Sequence, residues 1–420
     1  AVAQNLVQAR DGNNPGHRIA GWTYNMYGLV NLNDTVDITV ERIGRIPGGG
    51  LLLEVTCKID GQIVSRATAA TEAPITAYVY PGQGIQRQGM ALDEIATSEA
   101  ARDVWERADA LTKRALGFSI LTVVRDNPTE LEVNGEVLRH PDGVLSLTQF
   151  TQVALATVAF AQTARLRELG ALVDRAFFAG HSLGEYNALS AYGQVFPLET
   201  VLEIVFHRGS TMHHLVERDA QGRSNYRMGA LRPNQFGVGD ADVIDYVQSV
   251  ADEAGEFLQI VNFNLSGQQY AVAGTVAGLA ALEADANARA EAAGGKRPFM
   301  LVPGVDVPFH SSVLRGGVAE FREKLEVLLP DVIPTDRLAG KYIPNLVARP
   351  FEATREFAEA ILEVVPSKPL AALLEHPEDW DAVAADPDHL SRLLLIELLC
   401  WQFASPGRWI ETQQLLFTPL

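Results

Sequence analysis

The sequence predicts an α/β protein: a parallel sheet covered by helices, with a small ferredoxin-like block inserted into it and a short antiparallel β piece ahead of it. Three observations carry this. From about residue 75 onward, buried-looking strands alternate with helix-length stretches, which implies a parallel sheet with helices on its faces. Between 226 and 302 the order becomes strand, helix, strand, strand, helix, strand, the ferredoxin-like pattern. Residues 21–70 carry strand patterns and no helix.

In chain order, the first 16 residues are polar and read as a loop or tail. "DTVDITVERI" alternates apolar and polar side chains, and "GLLLEVTCKIDGQIVSRATA" reads as two strands joined at Asp60-Gly61, a strong hairpin dipeptide. Four strands without a helix to cover one face make a poor independent domain. Residues 1–73 therefore read as the end of a domain, with a linker, whose beginning lies elsewhere. Pro74 breaks the β pattern, and 75–80 looks like a buried strand ending in a glycine turn. Helices are expected at 92–115 and 147–169, with "AFFAG" (176–180) as another buried strand. In the inserted block, "YRMGALR", "LQIVNFN", "QYAVAG" and "PFMLVPG" are strands; "ADVIDYVQSVADEAG" and the alanine-rich run after Gly274 are helices. Residues 352–403 are mostly helical, punctuated at Pro366, Pro369, Pro377 and Pro387. The α/β region thus divides into 74–225, 226–302 and 303–420.

Composition narrows the function classes. The 420 residues include 34 Lys and Arg against 52 Asp and Glu, a net charge of −18, which argues against non-specific binding to nucleic acid or an anionic membrane. Cys57 and Cys400 lie in unrelated segments, giving neither a disulfide framework nor a metal-ligand spacing, so a reducing cytosol is the default. The start "AVAQNLVQARDGNNPG" lacks the apolar core of a signal peptide. The run "RLLLIELLCWQF" is too short to cross a membrane and carries Glu397. A cytoplasmic protein without a metal is expected.

The chemistry points to "GHSLG" at 180–184, which fits G-x-S-x-G, a turn that forces its serine to the tip between a strand and a helix. Glycines are needed because side chains would clash where the chain reverses over the sheet. A serine there faces the crevice beyond the strand ends, and the following helix aims its free N–H groups at the same point, Leu183 first among them. A plain turn is the alternative reading, since the motif alone arises by chance; the flanking strand and helix favour a nucleophile. The hydroxyl needs a base. His17, His140, His376 and His389 sit in polar, loop-like contexts, and His213 and His214 read as a surface pair on a helix. His181 adjoins the serine but points away from it at a sharp turn. His310, in "VDVPFHSSVL", re-enters the main sheet after the inserted block and is a candidate, though not a forced one. The loop "YPGQGIQRQGM" has Arg87 where a dinucleotide fingerprint needs glycine, and Met90-Ala91 where a P-loop needs Lys-Ser/Thr. It reads as a strand-to-helix turn or a supplier of backbone N–H groups.

Taken together, "YVYPGQGIQRQGM", "TQVALA", "GHSLGEYNAL", "FHRGSTM", "VNFNLSGQ", "VPFHSSVL" and "QFASPGRW" resemble, in order, the malonyl-CoA:acyl carrier protein transacylase family over roughly 76–417. More closely, the chain is similar to the malonyl/palmitoyl transferase region of bacterial type I fatty acid synthases of the mycobacterial and corynebacterial kind. There this region follows a hot-dog dehydratase, and "HRIAGWTYNMYGLVNLNDTVDITVERIG" looks like that domain's end. The resemblance implies an acyltransferase fold, an α/β-hydrolase-like large subdomain with the ferredoxin-like small one. It also implies a malonyl-CoA/palmitoyl-CoA:acyl carrier protein acyltransferase that works through an acyl-serine, without a permanently bound cofactor. CoA thioesters and the phosphopantetheine of acyl carrier protein would be its substrates, and the other synthase domains its partners.

By position, the resemblance makes Ser182 the nucleophile and His310 its base, with Gln402 at the place where a main-chain carbonyl orients the histidine. Gln83 and Leu183 would form the oxyanion hole through their backbone N–H groups, and Arg208 would pair with the malonyl carboxylate. Asn262 and Asn264 match a segment lining the cleft, with structural capping as the alternative. His181 would pack or hydrogen-bond beneath the turn, and Glu185 would stabilise the helix start. Two departures stand out: the family continues past "WIETQQLLF" where this chain stops at Leu420, and the helical stretch 352–395 is longer than in free-standing enzymes. The rival readings are a serine hydrolase or thioesterase, and a non-catalytic docking module of a synthase.

Overall fold

The computed structural model describes residues 19–73, 75–219 and 223–417; the tail read over 1–16, His17 and the break at Pro74 lie outside them. Strands β1 (Ile19–Met26), β2 (Asp37–Arg45), β3 (Leu51–Ile59) and β4 (Gln62–Thr71) form an antiparallel sheet in the order β1-β4-β3-β2. Asp60 (φ 49°) and Gly61 (φ 79°) both occupy the left-handed region that a two-residue hairpin turn requires. Period-two alternation places Val40, Leu51, Leu53, Val55, Ala67 and Ala69 in one small core.

The chain forms two compact units. One holds the strands up to Ala77 together with Thr163–Phe177; the other holds Tyr78–Gln162 and the described residues from Phe178 onward. Helices α1 (Glu99–Leu111) and α2 (Thr148–Glu168) fall where helices were expected. A hairpin of β6 (Glu130–Val133) and β7 (Glu136–Arg139), which follows β5 (Ala77–Tyr80), was not. Its turn is Asn134-Gly135 with φ of 52° and 87°, so an Asn-Gly signal was present in the sequence.

Strand β8 (Phe177–Gly180) is central in a three-stranded sheet, with β5 at one edge. Phe178 and Ala179 are buried, but Val79 on the edge strand is 51% exposed, so the stretch 75–80 is not the buried strand expected. After β8 come α3 (Leu183–Asn187) and α4 (Leu198–His214). The inserted block runs β9 (Tyr226–Leu231), α5 (Val243–Ala254), β10 (Leu258–Leu265), β11 (Gln269–Thr275), α6 (Val276–Ala293) and β12 (Phe299–Leu301). Its antiparallel sheet has the order β10-β11-β9-β12, the ferredoxin-like arrangement. Val243, Tyr246, Val247, Val250 and Ala251 make one buried stripe along α5, spaced as a helix facing a sheet requires.

Beyond the block, β13 (Tyr342–Ile343) pairs parallel with β8 and completes the three-stranded sheet. Then follow α7 (Arg355–Val364), α8 (Lys368–Glu375), α9 (Pro377–Ala384), α10 (Pro387–Gln402) and α11 (Trp409–Phe417). Pro369, Pro377 and Pro387 sit in the first turns of α8, α9 and α10, where a missing N–H costs nothing, and Ser367 and Asp386 cap two of these helices. Helix α10 is buried along Leu390, Leu394, Leu395, Leu398 and Leu399, and its last residue is Gln402.

Candidate active site

Between the end of β8 and the start of α3 the chain turns through His181 and Ser182. Ser182 has φ 55° and ψ −116°, a conformation that costs a non-glycine residue about 1–3 kcal/mol. A Cβ on Gly180 would lie 1.9 Å from the Gly184 carbonyl carbon, and one on Gly184 would lie 2.0 Å from the Tyr80 carbonyl oxygen. Both glycines are there for close approach, as the sequence suggested.

Ser182 Oγ is 2.7 Å from His310 Nε2. On its other side, His310 Nδ1 lies 2.8 Å from the Gln402 carbonyl oxygen and 3.2 Å from that of Ser405. Two carbonyls there require Nδ1 to carry the hydrogen, so Nε2 is bare and accepts the serine O–H. Burial first, then the charges of Arg208 and His181, push the imidazole down to about 3, so it is neutral at physiological pH. Among the described residues no carboxylate orients the ring; main-chain carbonyls do.

Arg208, which composition alone would leave on a helix surface, is 3% exposed. A Cβ on Gly209 would be 2.6 Å from Gln149 Cα, so α4 lies close against α2, and Arg208 Nη1 donates to Gln152 Oε1 at 3.1 Å. Its Nη2 donates to Gln402 Oε1 at 2.7 Å and reaches Ser182 Oγ at 3.4 Å. The guanidinium stacks 5.2 Å from the Tyr186 ring centroid. Burial lowers its pKa, and among the described residues no carboxylate lies within ion-pair distance of it. Its direct partners are neutral, while the Glu185 carboxylate acts on it through space.

Sequence reasoning missed three participants. The Gln402 side chain, and not only its carbonyl, joins the site: Nε2 donates to the Ser182 carbonyl at 2.7 Å and to Glu185 Oε2 at 2.5 Å. Glu185 sits in the first turn of α3, where its charge favours the helix start, but it is 1% exposed and also accepts from the Tyr342 hydroxyl and the Asn345 backbone N–H. Burial pushes its carboxyl up to about 7 against the pull of those donors and of Arg208. Asn345 Oδ1 accepts the Ser182 N–H at 2.7 Å. Glu185 was visible in "GHSLGE", but the partners that define its role are distant in sequence.

The remaining candidates fall as follows. Leu183 opens α3 and is buried. Gln83 lies in the turn after β5, where a Cβ on neighbouring Gly82 would be 2.8 Å from the His181 carbonyl oxygen and 3.5 Å from Ser182 Cβ. Beside the turn lies a cavity of about 500 Å³ whose lining includes Tyr80, Gly82, His181, Asn264 and Trp409. His181 Nε2 donates to Asn264 Oδ1 at 2.9 Å and its ring meets Trp409 edge-on. Asn264 lines this cavity. Asn262 is not among its lining; it is buried beside Gly407, whose backbone bonds Val261 and Phe263. His213 is also not a simple surface residue; it lines a second cavity with Arg218 and Asp306, and burial lowers it to about 4, while His214 is exposed. Among the described residues no cluster of His, Cys, Asp and Glu is arranged to hold a metal, and no helix is long and apolar enough to cross a membrane.

The family described as "Acyl transferase domain" matches residues 77–292. The fatty acid synthase subunit beta of Saccharomyces cerevisiae is 31% identical across 91% of this chain and 23% of its own length. Fatty acid synthase 2 of Mycosarcoma maydis is 35% identical across 85% of this chain and 12% of its own. The chain thus spans less than a quarter of either relative, and both are fungal, where the sequence resemblance pointed to a bacterial synthase. Among solved structures, the acyl-carrier-protein-S-malonyltransferase of Bartonella henselae is 26% identical with a TM-score of 0.56, covering 81% of this chain and 84% of that one.

Proposed function

Because the chain belongs to the acyl transferase domain family, we propose that it acts in acyl transfer for fatty acid synthesis, with Ser182 carrying the acyl group and His310 moving its proton. His310 Nε2 accepts the hydroxyl proton as Ser182 Oγ attacks the thioester carbonyl of an acyl-CoA. The oxyanion forms facing the backbone N–H groups of Gln83 and Leu183. CoA leaves with the proton from His310. The phosphopantetheine thiol of an acyl carrier protein then attacks the acyl-serine, His310 takes the thiol proton, and it returns that proton to Ser182 Oγ. Arg208 receives the carboxylate of a malonyl group.

The observation that carries this reading is one oxygen with two partners: Ser182 Oγ lies 2.7 Å from His310 Nε2 and 3.4 Å from the Arg208 guanidinium. A hydrolase has no use for a buried arginine at its nucleophile, and a docking module has no use for the pair. The malonyl specificity is supported by the name of the Bartonella enzyme. The wider reading has several parts. Palmitoyl is a second substrate, and the chain is a segment of a cytoplasmic type I synthase. Residues 1–73 end a hot-dog dehydratase, 74–225 and 303–420 form the large subdomain, and 226–302 form the small one.

Intact mass after exposure to malonyl-CoA tests it. The wild type should gain one malonyl group, and Ser182→Ala none; a label that persists in the variant would remove Ser182 from the role. Free malonate in place of malonyl transferred to carrier protein would make the protein a hydrolase.

A further inference from the structure

We infer that Glu185 is a positioning residue of the acyl-transfer site: its buried carboxylate clamps Asn345 and Gln402, and these two side chains grip Ser182 on both sides of its backbone. The inference rests on the acyl-serine reading above.

The grip is fully bonded. The Ser182 N–H donates to Asn345 Oδ1 at 2.7 Å, and the Ser182 carbonyl accepts from Gln402 Nε2 at 2.7 Å. Asn345 Nδ2 also donates to the carbonyl of Gly180, two residues before the serine. A residue held at φ 55° needs such restraint on both of its peptide bonds. Both gripping residues are tied to Glu185: the Asn345 N–H donates to Oε1 at 2.9 Å and Gln402 Nε2 to Oε2 at 2.5 Å. The Tyr342 hydroxyl is a third donor, at 2.5 Å to Oε1. All three partners donate in this arrangement, and a carboxylate, which only accepts, satisfies them together.

The carboxylate also decides which way the Gln402 amide faces. With Nε2 committed to Glu185 and Ser182, Oε1 is left for Arg208 Nη2 at 2.7 Å, while the carbonyl of the same residue holds His310 Nδ1. Glu185 touches no reacting atom, yet it fixes the nucleophile's backbone and the guanidinium beside it. The titratable groups facing it are Tyr342 on β13, Tyr186 on α3 and Arg208 on α4; burial raises both tyrosines and lowers the arginine. Glu185 is the member of this set that burial brings to about 7. On taking a proton, it loses its charge and part of its acceptor capacity, so the hydrogen bonds from Gln402 and Asn345 weaken and the Tyr342 hydroxyl must turn to accept.

The test is single-turnover acylation of Ser182 by malonyl-CoA, followed by intact mass from pH 5.5 to 8.5. It compares wild type, Glu185→Gln and Tyr342→Phe. In the wild type the rate should fall as pH drops through about 7. Glu185→Gln should be about 10- to 100-fold slower at high pH and flat across the range, with KM little changed. Tyr342→Phe keeps the carboxylate but removes a donor that favours its anion, so the acid limb should move to higher pH. Glu185→Gln with the wild-type rate would overturn the inference, and so would a slow variant that keeps the acid limb, since Glu185 would then only pack. If Glu185→Gln does not fold, Tyr342→Phe decides, and an unmoved limb overturns the inference. A wild type that is never acylated would defeat the underlying reading as well.

Discussion

Arg208 is a buried guanidinium held by two amides and an aromatic ring, none of which carries charge. Removing one side of a buried charge pair costs on the order of 3 kcal/mol. Arg208→Ala should therefore slow malonyl transfer about 100-fold and palmitoyl transfer only a few-fold, as measured by carrier-protein loading. Equal losses would assign Arg208 to the fold. His310 sets a stability signature of its own. Folded, its pKa is about 3, against an ordinary 6.5, so between those values the unfolded chain binds a proton that the folded site refuses. Stability is thus lost as pH falls below about 6.5, at roughly 1.4 kcal/mol per unit. Between pH 7 and 5, His310→Asn should lose about 2 kcal/mol less than wild type, read from urea midpoints. The serine was legible at this scale because its motif is local, a glycine pair around one side chain. His310 was a candidate on its place in the chain; Arg208 and the Gln402 carbonyl came from resemblance. Asn345 sent no signal, because one asparagine after a two-residue strand looks like any loop residue.

The turn that raises Ser182 depends on two elements passing at backbone distance. A methyl group on Gly184 would meet the Tyr80 carbonyl at 2.0 Å, and neither partner is a flexible side-chain end. Gly184→Ala should cost on the order of 3 kcal/mol in thermal or urea unfolding and abolish Ser182 labelling by a fluorophosphonate. Most elements were readable, since α5 repeats its apolar residues at helical spacing and β3–β4 meet at Asp60-Gly61. Strand β5 was misjudged because a four-residue apolar run does not reveal whether it lies in the middle of a sheet or at its edge. The β6–β7 hairpin escaped although Asn134-Gly135 announced it, because strands of only four residues carry too little alternation to mark them.

Each of the two units has its own apolar core, the first centred on Leu53 and Val55. Leu53→Ala should cost about 2–5 kcal/mol in that core and leave the rate of Ser182 acylation unchanged, the first read by thermal unfolding and the second by intact mass. At this scale the order of strand, helix and inserted block was legible, whereas the assembly of the site was not. Its residues come from positions 182, 185, 208, 310, 345 and 402, and the ferredoxin-like block separates the serine from its histidine. That spacing has a consequence in time. A ribosome adds about 5–20 residues per second, so the hydroxyl waits roughly 6–25 s for an imidazole 128 positions later, and longer for the amide that steadies both. During its own synthesis, the nascent polypeptide therefore carries an unarmed alcohol that draws nothing from the cell's thioester pool.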